Sequence, residues 1–170
     1  MKPITTYALA FFLLLTLVFT ASFAPTTAKA DDEPKPVSGT ADSVITGPDS
    51  ASGTSEFTVG NQAYTSTFSL TYAILPPDTD GTIRTVSSHI FTVFRDGIEL
   101  GTFTTSDNGV LTPTTTPGVM NLDNTLNIVS GTGKFVNTRG TLYTVNKLNF
   151  LTNPPSAKSV ITGSVYRVED

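Results

Sequence analysis

The chain has 170 residues, no cysteine, one histidine and a formal net charge of −4. This length fits a single domain, and the lack of cysteine excludes disulfides, a thiol nucleophile and cysteine-ligated metals. One histidine excludes a multi-histidine zinc site, and the acidic balance argues against general nucleic-acid binding, which needs a basic surface.

The first thirty residues have the order of a secretory signal peptide. Lys2 supplies the positive start, an apolar run follows over 8–19, and Ala28-Lys29-Ala30 forms an A-x-A cleavage site. This run is shorter than the ~20 residues of a bilayer span; an uncleaved N-terminal anchor is the alternative. We expect cleavage after Ala30, secretion to an extracellular or periplasmic space, and no stable membrane span after cleavage.

Residues 31–38 are predicted to be a flexible acidic leader. The segment 31–36 combines charge with two prolines, which favours an extended and mobile chain. The folded domain is then expected over 39–170. This length is enough to bury a core without disulfides.

Short runs rich in threonine and valine follow, separated by turn dipeptides. Both residues are β-branched and favour pleated strands. Gly60-Asn61 predicts a two-residue hairpin with Phe57 opposite Tyr64. Period-2 alternation in the second strand, Gln62–Leu75, predicts an inner face with these members: Tyr64, Ser66, Phe68, Leu70, Tyr72 and Ile74.

The rest of the chain continues the same alternation of strands and turns. Further strands are predicted over Thr82–Phe94, Ile98–Thr105, Leu122–Val129, Gly140–Leu151 and Ser159–Val168. Turns or loops are predicted at Asp80-Gly81, Asp96-Gly97, Asn108-Gly109, 113–117, 131–133 and 153–155. Seven or eight strands with tight turns predict an all-β sandwich or barrel. We favour a single eight-stranded antiparallel up-and-down barrel, because an open meander leaves two exposed edges.

One later stretch has a recognisable pattern. Residues 128–142 read IVSGTGKFVNTRGTL, which resembles the GGTGRFAGATGTL segment of the allene oxide cyclase barrel-like superfamily, a group that includes the dirigent proteins. Phe103–Val110 and Val160–Val165 are similar to the same group. The resemblance implies an eight-stranded calycin-like barrel with an apolar central cavity, and the chain most resembles exported bacterial-type members. Glycines in the stretch allow close backbone approach, so that Phe135 can cap the barrel.

Other motifs do not support a cofactor or a metal. Gly131–Lys134 does not complete a phosphate-binding loop, because Phe135 stands where serine or threonine is needed and no helix is expected after it. Asp96 and Glu99 are interpreted as solvated turn residues rather than as an acid–base or calcium pair. We therefore expect neither a cofactor nor a metal site.

The single histidine, His89, is a candidate for acid–base chemistry. If Asp96-Gly97 is a two-residue loop, one face carries His89, Phe91, Val93, Leu100 and Thr102, and the other carries Ile90, Phe94 and Phe103. Both faces are apolar, so this parity does not decide which one is the interior. The candidate ligand-binding residues are Phe57, Tyr64, Phe68, Tyr72, His89 and Phe91. They would form the wall of an apolar cavity, with core packing as the alternative.

Three functions remain open. The first is non-catalytic binding of a small apolar ligand, which predicts a dry aromatic interior without an ionisable pair. The second is a cofactor-free isomerase or cyclase of allene oxide cyclase or dirigent type, which requires an open cavity with His89, a tyrosine or an arginine–carboxylate pair inside. The third is an extracellular structural or interaction protein, with a filled barrel and an exposed apolar patch. The resemblance also allows a homo-oligomer, since the superfamily includes dimers and trimers.

Overall fold

Eight antiparallel strands close into one barrel in a computed structural model that describes residues 33–168. The strands are β1 (Lys35–Gly47), β2 (Ser50–Val59), β3 (Gln62–Ile74), β4 (Ile83–Arg95), β5 (Ile98–Pro113), β6 (Val119–Gly131), β7 (Arg139–Asn149) and β8 (Ser156–Tyr166). Each strand pairs with its neighbours in sequence, and β8 pairs with β1. The prediction of a single eight-stranded up-and-down barrel is confirmed, and closure pairs both edges of the meander.

The meander gives the barrel two different ends. At the closed end lie the hairpin turns Gly60-Asn61 and Asp96-Gly97 and the segment 132–138, which contains a 3-10 turn at Gly133–Phe135. At the open end lie the connections 48–49, 75–82, 114–118 and 150–155. No helix among residues 33–168 is long and apolar enough to cross a membrane.

The backbone geometry of the two short hairpins agrees with the residue types in their turns. Gly60 has a φ of 60°, which suits a turn whose first central residue is glycine. Asp96 and Gly97 have φ values of 53° and 79°, as a type I′ turn requires. Phe57 pairs with Tyr64, as the sequence predicts. These local signals therefore determined the register of two strand pairs.

Large and small side chains complement each other inside the barrel. Phe57 and Phe68 point inward next to glycines on the neighbouring strands. A Cβ on Gly53 would lie 2.7 Å from Phe68 Cζ, and one on Gly39 would lie 2.6 Å from Phe57 Cα. Gly53 thus provides the space that the Phe68 ring occupies, and Gly39 allows close approach of the β1 and β2 backbones.

The predicted turn at Asn108-Gly109 is wrong. Both residues lie within β5, where Gly109 pairs with Thr85 on one side and Asn124 on the other. A Cβ on Gly109 would overlap Asn124 Oδ1 and lie 2.5 Å from Thr85 Oγ1. Gly109 is therefore a site of close side-chain approach inside a strand and not a turn residue.

A β-bulge changes the face assignment along β5. Val93 pairs with Gly101 and Phe94 pairs with Glu99, so Leu100 is the extra residue. Beyond the bulge the alternation is shifted by one position, and Phe103 lies inside while Thr102 does not. The expected grouping of Thr102 with His89 is wrong for this reason.

The barrel begins earlier in the chain than predicted. β1 starts at Lys35, and Val37 is buried between Val59 and Gly163 of the two adjacent strands. Residues 35–38 therefore belong to the barrel, although the sequence pattern placed them in the leader. The predicted signal peptide, residues 1–30, lies outside the described residues.

Candidate functional site

A cavity of about 120 Å³ lies inside the open-end half of the barrel. Strands β1 to β8 all contribute inward-facing side chains, because alternate residues of each strand point to the barrel axis. Its lining residues are Ser43, Ile45, Ala51, Phe68, Leu70, Tyr72, Ile74, Thr85, Ser87, His89, Leu111, Leu122, Asn124, Asn146, Leu148, Phe150, Ala157 and Ser159. The wall is mostly apolar, with its polar groups concentrated on β4, β6, β7 and β8.

The closed-end half is filled by aromatic rings. Phe91 stacks on Phe103 with ring centroids 4.6 Å apart, and Phe103 contacts Phe135 at 5.8 Å. Phe135 is 2% exposed and covers this end from the 3-10 turn, as the sequence predicts. The stack begins at His89, which lies 5.4 Å from Phe91 in a nearly parallel arrangement. His89 is therefore on the floor of the cavity, above a packed aromatic core.

His89 and Asp107 form a buried pair at this floor. His89 points inward from β4 and Asp107 from β5, and His89 Nδ1 lies 2.7 Å from Asp107 Oδ2. The Asp107 side chain is fully buried, and that of His89 is 11% exposed. Ser87 Oγ donates a hydrogen bond to the same carboxylate oxygen at 3.1 Å. Burying such groups is costly, so their place beside a cavity makes them the candidate functional centre.

The hydrogen bonds assign different roles to the two ring nitrogens. An ionised carboxylate only accepts hydrogen bonds, so Nδ1 carries the proton that faces Asp107, and Nε2 of the neutral ring keeps a lone pair. Nε2 has no hydrogen-bond partner among residues 33–168. Ser87 bonds to Asp107 and not to His89, so the three side chains are not the triad of a hydrolase, in which serine bonds Nε2. The pair can accept and return a proton.

Some of the other polar side chains near the floor have hydrogen-bond partners, and others do not. Asn146 donates to Leu122 O at 2.7 Å and accepts a bond from Ser159 Oγ. Three buried oxygens have no hydrogen-bond partner in the described part of the chain: Thr85 Oγ1, Asp107 Oδ1 and Asn124 Oδ1. Buried oxygens of this kind are usually paired with protein, water or ligand. The polar side of the cavity therefore has unused acceptor capacity.

Tyr72 stands nearer the mouth of the cavity. Burial raises the pKa of its hydroxyl, and the nearby Asp49 carboxylate raises that pKa further. The hydroxyl therefore stays protonated at neutral pH and can donate a hydrogen bond. In the described part of the chain, Tyr72 and His89 are the only titratable residues that line the cavity.

The structure separates the six predicted ligand-binding residues into two groups. Phe68, Tyr72 and His89 line the cavity. Phe57 and Tyr64 stack on each other with centroids 5.8 Å apart, and Phe91 packs below His89; these three belong to the core. Ligand binding by the first three stays a prediction.

Sequence reasoning missed Asp107, together with Ser87, Thr85 and Asn124. The incorrect prediction of a turn at Asn108-Gly109 ended the strand before Asp107, so Asp107 was not expected to face the interior. An available signal was the alternation of Thr105, Asp107 and Gly109, which continues inward once β5 is extended through the glycine. The expectation of an interior without an ionisable pair is wrong, because His89 and Asp107 occupy it.

Comparison of the chain with family models, curated proteins and solved structures gives no match. Residues 33–168 also bring no three histidine, aspartate or glutamate side chains together in a way that could hold a metal ion. The geometry and charge of the cavity itself are therefore the features that indicate a function.

Proposed function

We propose that this protein is an exported β-barrel that binds one small, largely apolar molecule in the open-end cavity. The cavity itself carries this proposal. Its volume of about 120 Å³ is comparable with the ~150 Å³ apolar cavity that is large enough to bind benzene. Leucine, isoleucine and phenylalanine side chains make up much of its wall, which favours a ligand with a ring or a short hydrocarbon chain.

The His89–Asp107 pair supports a ligand with one polar end. Two buried polar partners are on average no more stabilising than well-packed apolar side chains of similar volume. A role in recognising a ligand accounts for a polar floor beneath apolar walls. Specific sites commonly combine an apolar wall with a few placed polar groups.

The charge of the cavity favours an uncharged ligand. Within residues 33–168 no lysine, arginine, aspartate or glutamate lines the cavity, and the Asp107 carboxylate lies just behind His89. A carboxylate or phosphate ligand would have to be buried near Asp107 without a cationic lysine or arginine partner, which is costly.

Export and superfamily membership are part of the same proposal. The signal-like order of residues 1–30 supports export, and the resemblance of residues 128–142 to the allene oxide cyclase barrel-like and dirigent group supports a shared origin. Similarity of fold is weak support for similarity of function. The cavity chemistry therefore takes precedence over the resemblance in assigning a ligand class.

Native mass spectrometry of the protein purified from an exporting host tests binding and export together. We expect the mass of residues 31–170 plus a small molecule that solvent extraction removes. An unprocessed N-terminus contradicts export. An empty protein that also binds no ethylbenzene contradicts the binding proposal.

Two matched replacements of alanine by phenylalanine test whether the ligand binds in this cavity. Ala157→Phe introduces a ring at a position that lines the cavity, whereas Ala73→Phe introduces the same ring on the exposed outer face of β3. Ethylbenzene affinity, measured by titration calorimetry, should fall about ten-fold or more in Ala157→Phe because the new ring occupies the site. Ala73→Phe should bind as the wild type does, and equal loss in both variants contradicts binding in this cavity.

A cofactor-free isomerase or cyclase is the second candidate function, and the inward His89–Asp107 pair favours it. His89 Nε2 would take a proton from one atom of the substrate, and the imidazolium would return it to another atom. Asp107 would stabilise the cation between the two steps, so that atoms and charge balance without a cofactor. The bound product is then an isomer of the substrate.

Hydrogen–deuterium exchange of cyclohexanone in D₂O tests this second function. A base at Nε2 should accelerate exchange of the protons next to the carbonyl by about 100-fold or more over the His89→Phe/Asp107→Leu double variant. Mass spectrometry of the recovered ketone measures the rate. Equal rates with the wild type and the double variant contradict acid–base catalysis and leave ligand binding as the function.

A further inference from the structure

We infer that the ligand of the cavity is an alcohol or phenol, whose hydroxyl group donates its hydrogen bond to His89 Nε2. This inference rests on the proposed function, because it assigns the polar end of the molecule that the cavity binds. It follows from three properties of the floor: the protonation of the two ring nitrogens, the missing partner of Nε2, and the charge of the lining.

Asp107 determines the tautomer of His89. Its Oδ2 accepts from Ser87 Oγ and lies 2.7 Å from His89 Nδ1. A carboxylate in this position can only accept, so the neutral ring must hold its proton on Nδ1. Nε2 is then an acceptor with a free lone pair. A ligand group that only accepts hydrogen bonds cannot form a hydrogen bond with Nε2.

Neighbouring aromatic rings hold the His89 ring in a fixed orientation beside the cavity. Phe91 stacks on His89 at an interplanar angle of 15°, and Phe68 packs against it with centroids 5.7 Å apart. His89 is 9% exposed, lines the cavity, and uses only Nδ1 for a side-chain hydrogen bond within residues 33–168. Nε2 is not one of the fully buried side-chain atoms without a partner in the described residues, so it is open to the cavity. A donor on a ligand can therefore reach it and form the hydrogen bond that the protein does not supply.

The lining distinguishes a neutral hydroxyl from a charged ammonium group. An ammonium group has three donors and a full charge, whereas the Asp107 carboxylate at the floor does not line the cavity. A hydroxyl group has one donor for Nε2, and its oxygen can still accept a bond from a neighbouring side chain. Hydroxyl groups are also cheaper to bury than charged groups.

Nitrogen NMR tests the tautomer directly. The chain has one histidine, so a tag-free sample labelled with ¹⁵N-histidine reports His89 alone. At about pH 9, where an ordinary histidine is neutral, we expect Nδ1 to resonate as a protonated nitrogen and Nε2 as an unprotonated one. Benzyl alcohol should shift the Nε2 resonance, and ethylbenzene should not. A proton on Nε2 in the free protein overturns the inference.

Affinities for the same two probes give an independent test. Benzyl alcohol and ethylbenzene have equal numbers of heavy atoms and differ by a hydroxyl in place of a methyl group. The double variant His89→Phe/Asp107→Leu removes the acceptor and its partner together and keeps a ring on Phe91. We expect its benzyl alcohol affinity, measured by calorimetry, to fall about five-fold or more, as for the loss of one hydrogen bond. Ethylbenzene affinity reports any change in cavity volume that the larger phenylalanine ring causes, so the loss is measured as the change in the ratio of the two affinities.

The outcomes separate the inference from the proposed function. If both probes bind the wild type and the double variant weakens both equally, the inference is overturned while binding in the cavity stands. If neither probe binds the wild type, the proposed function is overturned and the inference with it. A selective loss of benzyl alcohol affinity supports both.

Discussion

Replacing Gly39 by alanine should destabilise the barrel by about 3 kcal/mol, the upper range for overpacking a core. A Cβ at this position would overlap the carbonyl oxygen of Glu56 and lie 2.6 Å from Phe57 Cα, both on the backbone of the paired strand β2. Backbone atoms in a closed barrel cannot move aside as a flexible side chain can. Urea unfolding followed by circular dichroism measures the loss as a lower transition midpoint at unchanged slope.

Gly47→Ala on the same strand is the matched control. The nearest atom to a Cβ there is the terminal Ser50 Oγ at 2.7 Å, and the next lies at 4.0 Å. A hydroxyl can rotate away, so we expect a change within about 0.5 kcal/mol, the usual range for surface substitutions. Equal effects of the two replacements would mean that β1 does not pack against β2 as described.

Replacing His89 by phenylalanine should cost about 3–5 kcal/mol, because it leaves the Asp107 carboxylate buried without its main partner. Ser87 would remain as the single donor to Oδ2, and Oδ1 already has no partner in the described chain. The new ring is planar like imidazole, larger than it, and can stack on Phe91, so lost packing contributes little. Chemical unfolding monitored at neutral pH measures the free energy of unfolding.

The double variant His89→Phe/Asp107→Leu separates charge burial from packing. With both partners replaced by apolar groups, we expect most of the lost stability to return, since buried pairs are often no better than apolar replacements. The double variant should therefore be more stable than His89→Phe alone, which shows that the two replacements are coupled. If the double variant were less stable than His89→Phe alone, the pair would be primarily a structural element and its functional assignment would weaken.

The expected cost of burying His89 and Asp107 is the reason why the polar floor of the cavity points to a function rather than to stability. The closed-end half shows that this barrel can be filled by stacked aromatic rings, from Phe91 through Phe103 to Phe135. The open-end half instead keeps empty volume and a polar pair with unused acceptors. Such a half is less stable than a filled one, and the proposed ligand would offset that cost.

The sequence by itself determined the fold class and much of the order of the strands. Alternation over Gln62–Leu75 has a period of two and needs no distant partner, so the inner face of β3 can be derived locally. The turns at Gly60-Asn61 and Asp96-Gly97 are likewise decided by the φ values that their residues allow. Barrel closure followed from the general cost of exposed edges.

Only the tertiary structure decided the site. Whether Gly109 is a turn or a strand residue depends on Thr85 and Asn124, which approach it from β4 and β6. The bulge at Leu100 depends on the register of two strands, and one extra residue exchanges the inner and outer faces of all that follow. The pairing of His89 with Asp107 across 18 positions depends on that register. Local alternation determines which residues share a face, but contacts between strands decide which face is inside and which side chains meet.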